Sequence, residues 1–344
     1  MPLEIAVQAY QLESLGRPEG IVMRERAEPK CGATDIVVRI RAASLNRRDV
    51  MILRGTYPLA AKPDATPLSD GAGEVVAIGG AVTRFKIGDR VTGSYFARWR
   101  DGRLSPDLVD QLGCTLDGML AEYVVLDEHW AVAVPDHLTW EEAATLTCAG
   151  VTAWNCIVGS GTISPGQTIL TLGTGGVSLF AVQFAKMMGC RVIAATSRDR
   201  KIGKLRALGA DHVIDTVKTP QWALEARSLT NGEGVDLVVE TNGPDTLEQS
   251  IIAAALYGQI VLLITRSAER PTLEIPGNSW ANSLAGIRRV FVGSRADLER
   301  MNRAIATHRM RPVIDRVFPF VQAREAYDYF MQGDVFGKVV VLGA

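Results

Sequence analysis

The chain has 344 residues, 47% of them hydrophobic, and a formal net charge of -1. That length suits two domains with ordinary globular cores, and that charge excludes bulk electrostatic attraction to nucleic acid or to an acidic membrane surface. No apolar run reaches the roughly 18 residues of a membrane-spanning helix, and the five scattered cysteines, at 31, 114, 148, 156 and 190, form no CxxC pair and suit a reducing cytoplasm.

Taken in order, the opening MPLEIAVQAY carries Glu4 and lacks a basic segment ahead of an apolar one, so Glu4 to Leu12 reads as a strand and not as a secretory signal. Further strands are expected over Asp35 to Ala43, Gly71 to Ile78, Arg90 to Tyr95 and Ala121 to Leu126, with little helix between them. The glycine and proline spacing predicts a partly closed β-barrel. Two loops interrupt it, Leu45 to Pro58 and Phe96 to Met119, the second unusually long and polar for a compact domain. Tyr95, Phe96 and Trp99 there are either an aromatic wall over a ligand or plain core.

From Trp140 helices and strands alternate. Helices are expected over Trp140 to Trp154, Lys201 to Gly209, Pro220 to Thr230, Asp245 to Leu256 and Ala296 to His308. Strands are expected over Asp211 to Ile214, Val235 to Glu240, Gln259 to Ile264 and Arg289 to Val292. Repeated βα units predict an α/β fold with a doubly wound parallel sheet. The tail reads strand (Asp315 to Phe320), helix (Ala323 to Phe330), strand (Lys338 to Leu342) and is expected to return to the first domain.

The stretch Gln167 to Lys201 carries the clearest chemistry. A buried strand (Thr168 to Leu172) leads into Gly173, Thr174, Gly175, Gly176, Val177 and Ser178; an apolar helix follows to Met188, Gly189 stops it, and a β-branched run ends near Thr196. Strand, glycine turn, helix, strand is the first half of a Rossmann dinucleotide-binding domain. The glycines let the backbone approach a pyrophosphate, and the helix start offers free N–H groups. Ser178 replaces the third glycine of the fingerprint.

The order of these parts, with GAGEVVAIG, GDRV, AGVTAW, GTGGV, GADHVID and GKVVVLG, resembles the medium-chain dehydrogenase/reductase superfamily over nearly the whole chain. The resemblance implies a β-rich GroES-like catalytic domain (1–130 and 305–344), a Rossmann domain (131–304), a ligand cleft between them, and a homodimer. Zinc alcohol dehydrogenases of that superfamily bind the catalytic metal through cysteine, histidine and cysteine. The matching positions here are Asn46, Ser69 and Cys148, so one ligand of three survives. Amide and hydroxyl groups are poor zinc donors. The structural zinc lobe needs four close cysteines, and the long loop has only Cys114. No metal site is expected; Asp49 and Asp70 could bind a metal, but they read rather as holding loops by accepting backbone hydrogen bonds.

Asn46, Asp49 and Tyr57 look like the N-x-x-D…Y-P segment of the zinc-free quinone oxidoreductases and enone reductases. That implies Asn46 near the nicotinamide and substrate, or holding its loop, and Tyr57 as a pocket residue with a catalytic or lining role. Thr152 resembles the threonine at the nicotinamide end; its alternative is an ordinary helix hydroxyl. At the end of the second strand, where an acid would select NADH, stand Ser197, Arg198, Asp199, Arg200 and Lys201. A hydroxyl and cations suit a 2′-phosphate, so NADPH is the expected cofactor.

The missing metal sets the expected reaction. Hydride addition to a saturated ketone yields an alkoxide, with a conjugate-acid pKa near ~16, whereas a quinone yields a phenolate near ~10. The gap corresponds to roughly 8 kcal/mol that zinc would help to supply. A cytoplasmic, NADPH-dependent reductase of quinones or α,β-unsaturated carbonyls is therefore expected, with a small-molecule substrate and no nucleic-acid or membrane partner. The alternatives are an alcohol dehydrogenase or ketone reductase on the same fold, and a nucleotide-binding interaction protein with little catalysis.

Overall fold

The computed structural model describes residues 6–159, 163–265 and 272–344. Glu4 and Ile5, the start of the first expected strand, lie outside them. The strands are β1 (Ala6–Leu12), β2 (Ile21–Ala27), β3 (Asp35–Ser44), β4 (Asp70–Ile78), β5 (Arg90–Gly93), β6 (Tyr123–Asp127), β7 (Ala131–Ala133), β8 (Thr168–Leu172), β9 (Arg191–Thr196), β10 (His212–Asp215), β11 (Val235–Glu240), β12 (Ala254–Leu262), β13 (Gly286–Arg289), β14 (Ile314–Phe318) and β15 (Lys338–Leu342). The chain forms two compact units, one running to Val151 and resuming over Gly293–Ala344, the other Thr152–Val292.

The first unit is built on β3, the longest strand. A largely antiparallel sheet runs in the order β14-β15-β3-β4-β5-β7. One edge of β3 pairs with β4 along its length; the other is shared by β6 over its first half and β15 over its last residues. The tail thus returns to this unit, as its sequence predicts. The resemblance implies domain boundaries near 130 and 305. The compact units divide at 151 and 293, because the helix Trp140–Ala143 packs on β3 and β4, and the helix Arg295–His308 on β7. Those two helices alternate with strands in sequence but serve the antiparallel sheet.

Side-chain volume explains the GAGE motif. A Cβ on Gly73 would lie 2.2 Å from the Arg39 carbonyl oxygen, and one on Gly71 would lie 2.5 Å from Met119 Cβ. Both glycines let β4 lie close against its neighbours. The stretch Leu45 to Pro58, expected as a loop, contains a helix, Arg47–Leu53. Asp49 makes it one: its carboxylate accepts the Asn46 backbone N–H at 2.7 Å, satisfying a donor at the helix start. Asp49 is buried, and burial is the main cause of its altered ionisation. The Arg48 charge opposes that effect and the Asp70 carboxylate adds to it, so its pKa is lifted from an ordinary 3.8 to about 6. The second half of the Phe96–Met119 excursion is not a solvated loop either: Gln111, Leu112, Cys114 and Met119 are buried.

The second unit is a six-stranded parallel sheet in the order β10-β9-β8-β11-β12-β13. Counted from β8 this is 3-2-1-4-5-6, the doubly wound Rossmann order, and the direction of progression reverses between β8 and β11. All five residues of β8 are buried, which is why the strand reads as a continuous apolar run. Three expectations shift. The helix expected to reach Leu256 stops at Ala253, because Ala254 already pairs with Val235 of β11. The last strand is Gly286–Arg289 and not Arg289 to Val292, since Gln259–Leu262 of β12 fix its register there. The helix expected over Trp140 to Trp154 is three pieces, Trp140–Ala143, a π-turn at Leu146–Gly150 and Val151–Ile157. Among the described residues no helix is long and apolar enough to cross a membrane.

Two outcomes follow for stability. Gly73→Ala forces β3 and β4 apart and is expected to cost about 1–3 kcal/mol, seen as a lower urea midpoint with an unchanged slope. A carboxyl that binds its proton more tightly folded than unfolded stabilises the fold at low pH, and that stability is lost as pH rises. For Asp49 the window runs from 3.8 to about 6. Urea midpoints of the wild type are expected to fall across it relative to Asp49→Asn, which keeps an acceptor oxygen but cannot ionise; parallel pH profiles would refute this.

Candidate active site

Pairing register assembles the site in the first unit. Ser44, the last residue of β3, stands opposite Asp70 of β4 and opposite Val340 of β15. Continuing the β15 register by two residues brings Lys338 alongside Asn46. The Lys338 ammonium is 2% exposed. It donates to the Leu45 carbonyl at 2.8 Å, to Asn46 Oδ1, and more distantly to Asp70 Oδ2 at 3.4 Å. Asp70 is fully buried, receives the Ser69 hydroxyl at 2.8 Å and takes the Cys148 backbone N–H at 3.3 Å. The three positions that match zinc ligands by resemblance, Asn46, Ser69 and Cys148, therefore surround a buried Lys338–Asp70 pair. The Asn46 Nδ2 group is buried and has no partner among the described residues.

The helix Arg47–Leu53 continues this network. Arg48 is buried and donates to Asp49 at 3.2 Å and to the Leu112 carbonyl at 3.0 Å. Its guanidinium lies 5.4 Å from the Tyr57 ring centroid and 4.9 Å from that of Tyr95. The two phenol oxygens are 2.7 Å apart, and both reach Gln111 Oε1, at 2.7 and 3.0 Å. Burial works against the Arg48 charge, but the Asp49 carboxylate beside it keeps the guanidinium protonated. Burial pushes both tyrosines up and Arg48 pulls them down less strongly, so both stay neutral donors at neutral pH. Phe96 meets Tyr95 edge-on at 4.9 Å and is fully buried. Tyr95 thus belongs to the polar cluster and Phe96 to the core.

A zinc ion does not fit this donor set. Asn46 and Ser69 offer an amide and a hydroxyl, and a lysine ammonium already lies among them. Burial, reinforced by Asp70, raises the Cys148 pKa, so the side chain is a neutral thiol in this arrangement. Among the described residues no three His, Cys, Asp or Glu side chains gather to hold a metal. Asp49 and Asp70 accept backbone N–H groups, as their sequence context suggests.

In the second unit the glycine turn leaves β8 beside the point where the strand order reverses. Gly173 has φ +78°, a left-handed conformation that favours glycine. A Cβ built on Gly175 meets no atom within 4 Å, so this part of the turn borders a space that a side chain would fill. The helix Gly176–Met187 begins directly after it, with Val177 in its first turn. Ser178, in place of the third glycine, donates to the Leu172 carbonyl at 2.6 Å. Lys201 is buried, and its ammonium reaches Thr174 Oγ1 at 3.0 Å, joining the basic cluster to the glycine turn. Ser197 and Arg198 are exposed at the end of β9. Asp199, the one acid in that segment, pairs with Lys218 at 3.1 Å. Thr152 is buried in the helix Val151–Ile157. The turn, the helix start and the nearby cations fit a dinucleotide.

Sequence reasoning missed Arg48, Gln111 and Lys338. A lysine opening an otherwise apolar strand, KVVVL, was the available signal for the last of these. Gln111 sits in a stretch whose sequence reads as solvated, and no local pattern marks it.

Comparison with known proteins agrees with this architecture. The alcohol dehydrogenase GroES-like domain family matches residues 32–136, and the zinc-binding dehydrogenase family matches residues 176–307. A zinc-type alcohol dehydrogenase-like protein of Schizosaccharomyces pombe is 40% identical over 330 residues, 94% of each chain. A quinone oxidoreductase of Pseudomonas aeruginosa is 30% identical over 341 residues, 96% of this chain and 98% of that one. A crystal structure of a Sinorhizobium meliloti protein described as an alcohol dehydrogenase superposes with a TM-score of 0.91 at 35% identity, covering 98% of both chains. On the two domain matches, these relatives and the glycine turn, the chain belongs to the medium-chain dehydrogenase/reductase superfamily and is an oxidoreductase of the kind that uses a nicotinamide cofactor.

Proposed function

We propose that this protein is an NADPH-dependent reductase of quinones or α,β-unsaturated carbonyls that works without catalytic zinc. One observation carries the reading: the three metal-ligand positions hold an amide, a hydroxyl and a neutral thiol around a buried lysine–aspartate pair. Such a site supplies hydrogen-bond donors and no Lewis acid. It suits acceptors whose reduced oxygen is a phenolate or enolate, which is far less basic than an alkoxide.

A dihydronicotinamide held there would supply the hydride. Asn46 Nδ2 donates a hydrogen bond to the acceptor oxygen as negative charge builds there. Tyr57 stands at the end of a hydroxyl pair with Tyr95, backed by Arg48, and delivers a proton to that oxygen. The Gly173–Val177 turn and the helix start hold the pyrophosphate. Ser197, Arg198 and Lys201 hold the 2′-phosphate, and the Asp199–Lys218 pair keeps the acid occupied away from a ribose. The tyrosine pair also supports a second reading, reduction of a saturated ketone with a proton given during transfer, in keeping with the relatives named alcohol dehydrogenases.

Consumption of NADPH with a quinone, an enone and a saturated ketone, with and without a chelator, separates the two. Turnover of the first two, indifferent to chelator, is expected. Turnover of the saturated ketone alone refutes the proposal, and loss of it on chelation also refutes the reading of Asn46 and Ser69. Arg198→Ala is expected to weaken NADPH binding by roughly 10–100-fold, the loss of one charge-assisted contact, and to leave NADH binding nearly unchanged. Equal losses for both cofactors would show that Arg198 does not meet the 2′-phosphate.

A further inference from the structure

The amide proposed as the donor to the reacting oxygen has two ends, and only its N–H end is useful. Left alone, an asparagine can present either end to a ligand. Here the helix cap and a lysine decide together: the Asn46 side chain faces the Asp49 backbone N–H in a capping box. Asn46 Oδ1 accepts from the Lys338 ammonium, which turns Nδ2 away from the lysine; Nδ2 is buried and has no partner among the described residues. Asn46 is only 7% exposed, so little water competes for that orientation.

The lysine has no protons to spare for a ligand. Its three N–H groups go to the Leu45 carbonyl, Asn46 Oδ1 and Asp70 Oδ2. The nearer partners are the two neutral oxygens, and the carboxylate lies at 3.4 Å. The charge is therefore only partly compensated by contact, and its field passes through the amide. A cation on the oxygen of an amide makes its N–H groups stronger donors, because hydrogen bonds in a chain polarise one another.

We propose that Lys338 is a positioning residue that stands in for the absent metal charge: it fixes and polarises Asn46 so that Nδ2 donates to the oxygen of a quinone or conjugated carbonyl. The proposal rests on the reading of Asn46 given above. It adds a second residue, almost three hundred positions away in sequence, on which that donor depends.

The test uses para-nitrophenol, whose colour reports ionisation, bound to protein loaded with oxidised cofactor. Wild type is expected to favour the bound phenolate over the phenol. Lys338→Met would leave Asp70 buried without a cation, so it is paired with Asp70→Asn. In that double variant both kcat and the preference for phenolate are expected to fall roughly 10–100-fold, with cofactor affinity and the KM for the acceptor nearly unchanged. Lys338→Arg, which keeps the charge, is expected to recover part of the loss. In an Asn46→Ala background the Lys338 and Asp70 changes are expected to cost nothing more, since the two residues act through one donor. Full phenolate preference in the double variant overturns the proposal, as does an equal additional loss in the Asn46→Ala background.

If the double variant fails to fold, Asn46→Asp replaces it. That variant keeps an acceptor for Lys338 but has no N–H, so it is expected to melt no lower than wild type and to lose the phenolate preference. Retention of the preference overturns the proposal. The phenolate measurement needs no turnover, so failure of the quinone and enone assays would refute the assigned reaction while leaving this result to stand or fall by itself.

Discussion

Four buried charges meet at the end of β3, and much of the first unit is arranged to hold them there. Lys338 and Asp70 form one pair, Arg48 and Asp49 the other. Taking such charges out of water costs several kcal/mol each, which only close partners and further hydrogen bonds offset. The structure provides both. Asp49 and Asp70 each accept a backbone N–H, Arg48 and Lys338 each donate to a backbone carbonyl, and the Tyr57 and Tyr95 rings cover the guanidinium. A zinc alcohol dehydrogenase concentrates positive charge in one divalent ion with open coordination. Here two fixed monovalent cations are tied to carboxylates.

The parts of this protein legible in sequence were those set by short-range rules. The glycine turn, the buried strand before it and the βα alternation are local patterns, and β11 and β15 have the bounds that their apolar runs predict. Zinc-ligand positions could be matched because they lie inside motifs. Arg48, Gln111 and Lys338 could not, since each gains its role from a residue far along the chain: Lys338 from Asn46, Gln111 from Tyr57, Arg48 from Leu112. The edges of the compact units are likewise set by packing between distant residues. The helices Trp140–Ala143 and Arg295–His308 have the spacing of Rossmann helices, and only their packing shows that they serve the other sheet.

The replacement of a glycine by Ser178 illustrates how a departure from a motif can be absorbed. In the fingerprint, the third glycine permits close packing between helix and strand. The Ser178 hydroxyl instead donates to the Leu172 carbonyl, which also receives the Thr241 hydroxyl at 2.8 Å. Two hydroxyls converge on one carbonyl at the end of β8, so the extra side chain becomes a tether on the turn. Nearby, the buried Glu240 at the end of β11 accepts the backbone N–H groups of Asn242 and Gly243 and the hydroxyls of Thr246 and Ser250. The two strand ends that flank the reversal of strand order are thus each pinned by side-chain hydrogen bonds.

The second unit enters and leaves the chain through neighbouring points. Asn155 Nδ2 donates to the Val292 carbonyl at 2.7 Å, and Arg288 donates to the carbonyls of Asn155 and Cys156. To the first unit, the inserted residues therefore act as a short closed loop once they have folded. The entropy saved is small, because halving a flexible loop is worth only about 0.6 kcal/mol. The geometric gain is larger. A nascent chain carries Asn46 and Asp70 long before Lys338 is made, and Asp70 has no lysine until then. Folding the insertion first returns the growing chain to the place where it left. The last strand then has to find β3 across a clipped junction and not across a free tether.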